Sequence, residues 1–305
     1  MPIFFQFQPI YNCFSNSVCT NFSLFLYLDK NVCNNMEPDI KLQVLICTYG
    51  EEGIKRVIEC NHQPCEGVEY LVSWQQPDTD IPVPTDLIRD DFKIAIIKSK
   101  GLSKNRNASI SMATAPLLLL SDDDIRYMPK QLKTIIDSFD KHPDTDIITF
   151  KLNFKGSLKH YPSHSFNLKK PAKGYYVGTP ELAFRRSSIQ GTISFNEYFG
   201  IGAMFPIGEE DIFIQDCMNH NLKGIFLPIA IGTHPTNTSS DRLKHSSESI
   251  QTKGAVFLHV KPKSWLPRMI VHAIRYRDIE GKRKIFWYIR QWLSGIRKAI
   301  DNNAF

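Results

Sequence analysis

The fold is indicated by LLLLSDDD at residues 117–124, where four leucines run directly into a serine and three acids. A short, fully apolar run preceded by Pro116 is typical of a strand buried on both faces of a sheet. Three adjacent carboxylates repel one another and cannot lie in a packed core without counter-charge. We therefore expect the three acids to project from the rim of the sheet, just beyond the strand.

Similar apolar runs occur on both sides of this stretch and alternate with helical patterns. Strands are predicted at residues 42–47, 68–73, 92–97 and 146–150, and helices at 53–60, 102–115 and 129–139. Alternation at this spacing predicts βαβ units, hence an α/β fold with a mostly parallel open sheet and helices on both faces. Ligands of such sheets bind at the carboxyl ends of the strands. Polar residues follow three of the predicted strands, at Thr48 and Tyr49, at Ser73 to Gln75 and at Asp122 to Asp124.

The second half of the chain is less regular. Residues 175–189 could contain a strand followed by a turn, and residues 224–229 again resemble a strand. Between them, residues 209–219 predict a helix that begins with the three acids Glu209, Glu210 and Asp211.

Composition and charge divide the chain unevenly. Its 305 residues are 42% hydrophobic and 22% charged, which is ordinary for a globular protein with a sizeable core. Residues 261–298 contain eleven Lys or Arg and two acids, so the basicity belongs to the C-terminal tail. An anionic partner is therefore expected to meet this tail. No segment reaches the run of about 20 apolar residues that a membrane-spanning helix requires.

Three regions follow from these patterns. Residues 1–36 form an N-terminal extension without an assigned role, and residues 1–28 contain no charged side chain, so a signal peptide would lack its basic start. One interpretation is that the natural chain begins at Met36. Residues 37–260 form the α/β domain, and residues 261–305 form a basic helical tail.

The acids that follow the leucine run suit a metal site. A hard cation such as Mg²⁺ or Mn²⁺ could neutralise them and bridge substrate phosphates. The alternative is a solvated acidic turn, but the position directly after an apolar strand favours the metal. His234 follows a strand-like run and could complete the metal shell as a neutral imidazole, although a lone histidine in a polar loop is more often solvated.

Two further motifs could take part in binding or catalysis, but each is also explained as an ordinary helix start. The segment GLSKNRN at residues 101–107 could meet a phosphate with backbone N–H groups and the Arg106 guanidinium, as could many helix starts. A carboxylate among Glu209, Glu210 and Asp211 could take the proton of an acceptor hydroxyl. Favourable charge at a helix N-terminus explains these acids equally well.

Taken together and in this order, the motifs resemble family-two glycosyltransferases, an inverting group with the GT-A fold. The resemblance covers about residues 40–235, and its specificity lies in order and spacing. Its elements are VLICTY at residues 44–49, GLSKNRN at 101–107, LLLLSDDD at 117–124, GEED at 208–211 and LKGIFLP at 222–228. It is similar above all to the branch that builds bacterial surface polysaccharides.

The resemblance implies a role for each matching position. The donor is a nucleotide-diphosphate sugar, and the cofactor is Mg²⁺ or Mn²⁺. Donor binding falls to Thr48, Tyr49, Glu51, Gln75, Arg106, Asp122 and Asp123. The metal ligands are Asp124, Asp122 and His234, and the base is Glu210 or Asp211, with Asp211 preferred.

Two departures from the family pattern concern the nucleotide pocket. The chain has Cys47-Thr48-Tyr49-Gly50 where the family commonly has Pro-x-Tyr-Asn, and the second strand ends in Ser73-Trp74-Gln75 rather than an acidic pair. Both affect which nucleotide is bound, not the class of enzyme.

The tail carries an apolar helical stripe at Ile285, Ile289, Trp292, Leu293, Ile296 and Ile300, interleaved with Lys and Arg. Such a helix suits the surface of an anionic bilayer, and a helix packed on the domain with a solvated basic face fits equally well. The first option fits a cytoplasmic enzyme that is peripheral to the membrane and acts on a glycan or lipid-linked acceptor.

Two other classes compete with this hypothesis. A sugar-nucleotide nucleotidyltransferase would share the carboxylates, but it should carry a glycine-rich basic loop after the first strand, where this chain has the acidic Gly50-Glu51-Glu52. A non-enzymatic protein that binds nucleic acid through the tail would leave both acidic clusters unexplained. No nucleic-acid partner is therefore expected.

Overall fold

A computed structural model describes residues 39–154, 159–234, 246–276 and 285–305 of the chain. The predicted N-terminal extension, residues 1–36, lies wholly outside the described residues. The strands are β1 (Leu42–Tyr49), β2 (Val68–Gln75), β3 (Phe92–Ile97), β4 (Leu117–Asp122), β5 (Ile147–Phe154), β6 (Phe166–Asn167), β7 (Leu182–Arg185) and β8 (Gly224–His234). The helices are α1 (Gly50–Cys60), α2 (Leu102–Met112), α3 (Pro129–Lys141), α4 (Arg186–Ile189), α5 (Glu209–Asn219), α6 (Ser247–Val260), α7 (Trp265–Tyr276) and α8 (Ile285–Asp301).

The strands form one sheet in the order β3-β2-β1-β4-β7-β5-β8-β6. β1 pairs in parallel with β2 and β4, and β5 pairs in parallel with β8, whereas β7 and β6 run antiparallel to their neighbours. The predicted α/β class and the mostly parallel open sheet are therefore confirmed. The central strands are apolar on both faces because helices cover both sides, so β1 buries every residue from Leu42 to Thr48.

Helices α1 and α3 cover one face of the sheet, and α2 and α5 cover the other. Ile54 of α1 and Leu132 of α3 belong to one hydrophobic core, while Ile110 of α2 and Phe213 of α5 belong to a second core across the sheet. α2 ends at Met112, three residues before the predicted end, because Ala113 already has extended backbone angles.

The order of the strands places a crevice at the ends of β1 and β4. The chain moves outward from β1 through β2 to β3, and then crosses back by α2 to β4 on the other side of β1. Cys47 near the end of β1 pairs with Asp122 at the end of β4. Ligands of open α/β sheets bind where the strand order reverses in this way.

The C-terminal helices pack on the domain beside α5. α6 and α8 approach closely through two glycines: a Cβ added at Gly254 would lie 2.4 Å from the Trp292 carbonyl oxygen, and one at Gly295 would lie 1.9 Å from the Gln251 carbonyl oxygen. Within the described residues, no helix is long and apolar enough to cross a membrane.

The predicted apolar stripe of the tail is divided between two environments. Trp292 and Ile296 are buried, whereas Leu293 and Ile300 are exposed. The inner part of the stripe thus serves packing within the tail.

Candidate active site

The end of β4 brings the first acidic cluster to the rim of the sheet, as the leucine run predicts. Asp122 is the last residue of β4, and Asp123 and Asp124 form the turn that follows. The side chain of Asp122 is 36% exposed, that of Asp124 is 25% exposed and that of Asp123 is 13% exposed. The three carboxylates therefore have different surroundings.

Asp123 is held by two residues of the β1–α1 segment. Arg56 donates to both of its carboxylate oxygens, from Nε at 2.8 Å and from Nη2 at 2.9 Å, and the Thr48 hydroxyl donates at 2.8 Å. Gly53 makes this approach possible, because an added Cβ would lie 2.1 Å from Thr48 Oγ1 and 3.0 Å from Asp123 Oδ2. Asp123 thus links β1, α1 and the acidic turn.

Asp124 has the features of a metal ligand. Its Oδ1 atom is buried and has no hydrogen-bond partner, while His234 Nε2 at the end of β8 lies 3.8 Å away. Burial raises the pKa of Asp124, and the neighbouring His234 opposes this rise. An orphaned buried oxygen beside an imidazole fits a cation ligated by both groups. Among the described residues no group of three or more ligands is already assembled, so a cation here would take its remaining ligands from the donor and from water.

Arg106 of α2 connects the two acidic clusters. Its side chain is 2% exposed; Nη1 donates to Glu209 Oε1 at 2.9 Å, and Nη2 donates to Asp122 Oδ1 at 3.3 Å. The Glu210 carboxylate lies 3.8 Å from Nη1, and the guanidinium stacks over Phe195 at 5.4 Å. Burial raises the pKa of Asp122 to about 6 although Arg106 acts against this rise. One buried guanidinium thus brings the end of β4 and the start of α5 into a single site.

The second cluster begins at Gly208, whose φ of +94° is the left-handed conformation that glycine adopts without strain. Glu209 faces inward to Arg106, and Glu210 accepts a hydrogen bond from the Thr179 hydroxyl at 2.6 Å. Asp211 is exposed, and its carboxylate makes no hydrogen bond or ion pair with any described residue. Surrounding protein atoms and the charge of Glu210 nevertheless raise the pKa of Asp211 to about 6, as for a group recessed in a cleft.

The predicted nucleotide-binding residues lie along the ends of β1 and β2. Tyr49 is half exposed, and Glu51 is exposed and forms an ion pair with Lys55 at 2.8 Å. Gln75 is buried, and its amide donates to the Gly101 carbonyl at 3.2 Å. Gln75 therefore fixes the loop before α2, whereas Tyr49 and Glu51 present exposed side chains beside it along these strand ends.

Several residues of the site were not predicted from the sequence. Asn105 donates to the carbonyl groups of Thr48 and Ser73, so it bridges the ends of β1 and β2 from inside α2. The segment around Thr179 is supported by Glu181, which forms a buried ion pair with Lys159 at 2.5 Å and accepts from the Tyr161 hydroxyl at 2.5 Å. Asn105 lies within the GLSKNRN motif, whereas nothing in the sequence pattern marks Thr179.

The family comparison agrees with this geometry. The family model for glycosyl transferase family 2 matches residues 43–210, which contain β1, Arg106, the first acidic cluster and the start of the second. The chain belongs to glycosyl transferase family 2. It is thus a glycosyltransferase enzyme, and the family resemblance drawn from the motifs is confirmed. A comparison with curated proteins found no match.

Solved structures similar to this glycosyltransferase share its fold. S. aureus TarS residues 1–349 in complex with UDP-GlcNAc is 16% identical, with a TM-score of 0.56 over 84% of this chain and 79% of that chain. The mannosyltransferase PcManGT from Pyrobaculum calidifontis, in complex with GDP-Man and Mn²⁺, is 12% identical, with a TM-score of 0.52 over 86% and 75%. The longer S. aureus TarS structure is 17% identical with a TM-score of 0.51 over 72% of this chain, which spans 40% of that chain. These likenesses confirm the GT-A fold.

Proposed function

We propose that this glycosyltransferase moves a sugar from a nucleotide-diphosphate donor to a hydroxyl group of a glycan or lipid-linked acceptor, with inversion at the anomeric carbon. The observation that carries the proposal is the position of Arg106, which contacts Asp122 of the donor cluster and Glu209 of the base cluster. The two sets of acids that the reaction needs therefore belong to one site. Family membership favours this reaction over nucleotidyl transfer and over nucleic-acid binding.

The donor site is assigned to the ends of β1, β2 and β4. Tyr49 and Glu51 offer exposed side chains for the base, and Asp122 lies at the strand-order reversal, where the ribose and diphosphate would be placed. Asp123 acts here through its bonds to Thr48 and Arg56, which fix the turn. Support comes from the similar structures, of which one holds UDP-GlcNAc and another GDP-Man with Mn²⁺.

The metal ligands are assigned to Asp124 and His234, with Asp122 beside them. A bound Mg²⁺ or Mn²⁺ would offset the negative charge that the diphosphate gathers as it leaves. Arg106 is buried beneath Asp122, so its positive charge acts on the site from within the protein and holds the acids in place.

The base is assigned to Asp211. Its carboxylate takes the proton of the acceptor hydroxyl, whose oxygen forms a bond to the anomeric carbon while the bond to the diphosphate oxygen breaks on the opposite face. Asp211 is open to solvent and unpaired among the described residues, whereas Glu210 is bonded to Thr179. A pKa of about 6 suits a base that works near neutral pH.

The setting proposed for the reaction is surface polysaccharide biosynthesis, with the enzyme in the cytoplasm and peripheral to the membrane. The basic tail supports this setting, because eleven Lys or Arg against two acids between residues 261 and 298 would attract an anionic bilayer. A lipid-linked acceptor would lie at that surface.

Donor binding is tested by the melting temperature of the protein with UDP, GDP or CMP, with and without Mn²⁺. We expect one nucleotide to raise the melting temperature only when the metal is present, because a ligand that binds the folded state stabilises it. Asp124→Ala should abolish this shift, while Asp140→Ala, an exposed acid of α3, should retain it. A metal-dependent shift that survives in Asp124→Ala would refute the metal assignment, and no shift with any nucleotide would refute the donor site.

A further inference from the structure

The outer face of α7 is apolar and uncovered. Leu266, Ile270, Val271 and Ile274 are between 42% and 47% exposed, and their spacing places them on one side of the helix. The adjoining side of the helix is used for packing, since Met269 and Ala273 are buried in a cluster with Tyr288 and Trp292 of α8. These four side chains therefore remain exposed when the helices of the tail pack together. We call these four residues the α7 face.

Cations flank the α7 face, and the helix itself carries no acid. Residues 261–276 contain four Lys or Arg and no Asp or Glu, and Lys261, Lys263 and Arg268 are exposed. Half-buried Trp265 opens the helix. A short amphipathic helix with aliphatic residues on one side, an aromatic ring at its start and cations at its edge has the composition of a segment that lies in the plane of a bilayer surface.

The neighbouring helix α8 repeats this pattern on its exposed side. Phe286, Arg290, Leu293 and Arg297 follow one another at spacings of four, three and four residues, so they lie along one line of the helix. Phe286 is 81% exposed. Apolar side chains therefore alternate with cations along both outer helices of the tail.

From these observations we propose that the α7 face docks the enzyme on an anionic lipid bilayer. Apolar side chains would enter the boundary between headgroups and acyl chains, and the flanking cations would meet anionic headgroups. A second copy of the chain fits less well, because a symmetric contact through this face would bring Lys263 and Arg268 of one copy towards the same cations of the other, and residues 261–276 contain no acid to compensate. This inference rests on the proposed function, because docking would give the enzyme access to a lipid-linked acceptor.

The tail is fixed to the catalytic domain close to the base. A Cβ added at Gly208, directly before Glu209, would lie 2.5 Å from Val256 Cγ2 of α6, so α6 touches the start of α5. His259 of α6 also contacts Asp216 of α5 at 2.9 Å. Docking through α7 would therefore hold the helix that carries Asp211 in a fixed relation to the bilayer.

The test is co-sedimentation of the full chain with vesicles of phosphatidylcholine alone or mixed with phosphatidylglycerol. We expect binding to the mixed vesicles only, and a loss of about tenfold or more in affinity for Ile270→Glu or Val271→Glu, since each places a charge where an aliphatic side chain would enter the bilayer. Ile88→Glu, at an exposed isoleucine before β3, is the matched control and should bind as the original protein does. Melting temperatures identify any variant that fails to fold, and two variants keep the test independent of one substitution.

Three results would overturn the proposal: no binding to mixed vesicles, unchanged binding by both α7 variants, or a dimer in solution that Ile270→Glu converts to a monomer. Failure of the proposed function is distinguishable, because Asp211→Asn should bind vesicles normally while Ile270→Glu should keep its metal-dependent shift with nucleotide. Loss of vesicle binding with a retained nucleotide shift would concern the α7 face alone.

Discussion

The acids after β4 and the acids that open α5 are two clusters of three carboxylates, and in each cluster the shortest contact with an arginine is made by a different residue pair. In the first cluster the middle acid, Asp123, is held by Arg56, which is 46% exposed. In the second cluster the first acid, Glu209, is held by Arg106, which is 2% exposed. The paired acid fixes the backbone in each case, and its neighbours are left to face the cleft. The position of the arginine thus decides which carboxylates can act on a ligand.

The clusters differ in what surrounds the remaining acids. Asp124 has a buried oxygen without a partner and an imidazole 3.8 Å away, which suits a cation. Asp211 has no imidazole or guanidinium partner in the described part of the chain and is reached by solvent, which suits a base that meets an incoming hydroxyl. Similar residue types therefore serve two functions because their neighbours differ.

The largest effect is expected from Asp211→Asn. Loss of a general base should lower the transfer rate by about 10²–10⁴-fold, while the nucleotide-dependent shift in melting temperature is retained. Glu210→Gln should lower the rate less, because Glu210 is bonded to Thr179. The kcat values of the two variants decide which acid is the base. A greater loss in Glu210→Gln would assign this role to Glu210.

Asp211→Asn is also predicted to change the melting temperature in a definite direction. The folded protein raises the pKa of Asp211, so its charged form costs free energy at pH 7; this cost shrinks as the pH falls below about 6 and is gone below about 3.8, the pKa of an unperturbed aspartate. The asparagine variant should therefore melt at the same temperature as the original protein or above it at pH 7. A lower melting temperature would show that the carboxylate stabilises the fold.

The sequence predicted the sheet and the first cluster better than it predicted the contacts between clusters. Apolar strands and the position of Asp122 to Asp124 follow from local patterns. The pairing of Arg56 with Asp123 joins residues 67 positions apart, and that of Arg106 with Glu209 joins residues 103 positions apart, so no local pattern contains either. β7 is only four residues long, and its antiparallel place between β4 and β5 depends on neighbours that the chain supplies elsewhere.

The apolar periodicity of the sequence likewise did not predict how the tail packs. The stripe on α8 predicts an apolar face, but it does not state whether protein or lipid covers that face. Trp292 is covered by α6 and α7, whereas exposed apolar side chains lie on α7 and also on the outer side of α8, at Phe286 and Leu293. Only the packed structure shows which apolar residues of the tail are covered by protein and which are exposed.

A smaller effect is expected in the pH dependence of the transfer rate, which reports on Asp211 of the second cluster. The base acts in its charged form, so activity should be level above pH 7 and should fall about tenfold for each pH unit below 6, where Asp211 becomes protonated. The profile of kcat at saturating donor and metal measures this fall. In Glu210→Gln the midpoint should move to lower pH, because the charge of Glu210 contributes to the raised pKa of Asp211. An unchanged midpoint would place the titrating group elsewhere.

The smallest effect concerns the first cluster and is expected from Gly53→Ala. Glycine to alanine inside a helix usually stabilises a protein by up to about 1 kcal/mol. Here the new Cβ would lie 2.1 Å from Thr48 Oγ1, so Thr48 must rotate and give up its bond to Asp123, and we expect a net loss of about 1 kcal/mol instead. Chemical denaturation measures the difference, with Glu52→Ala on the exposed side of the same helix as the control. A more stable Gly53→Ala protein would show that Arg56 alone holds Asp123, so this acid would depend on a single surface arginine while Glu209 keeps its buried one.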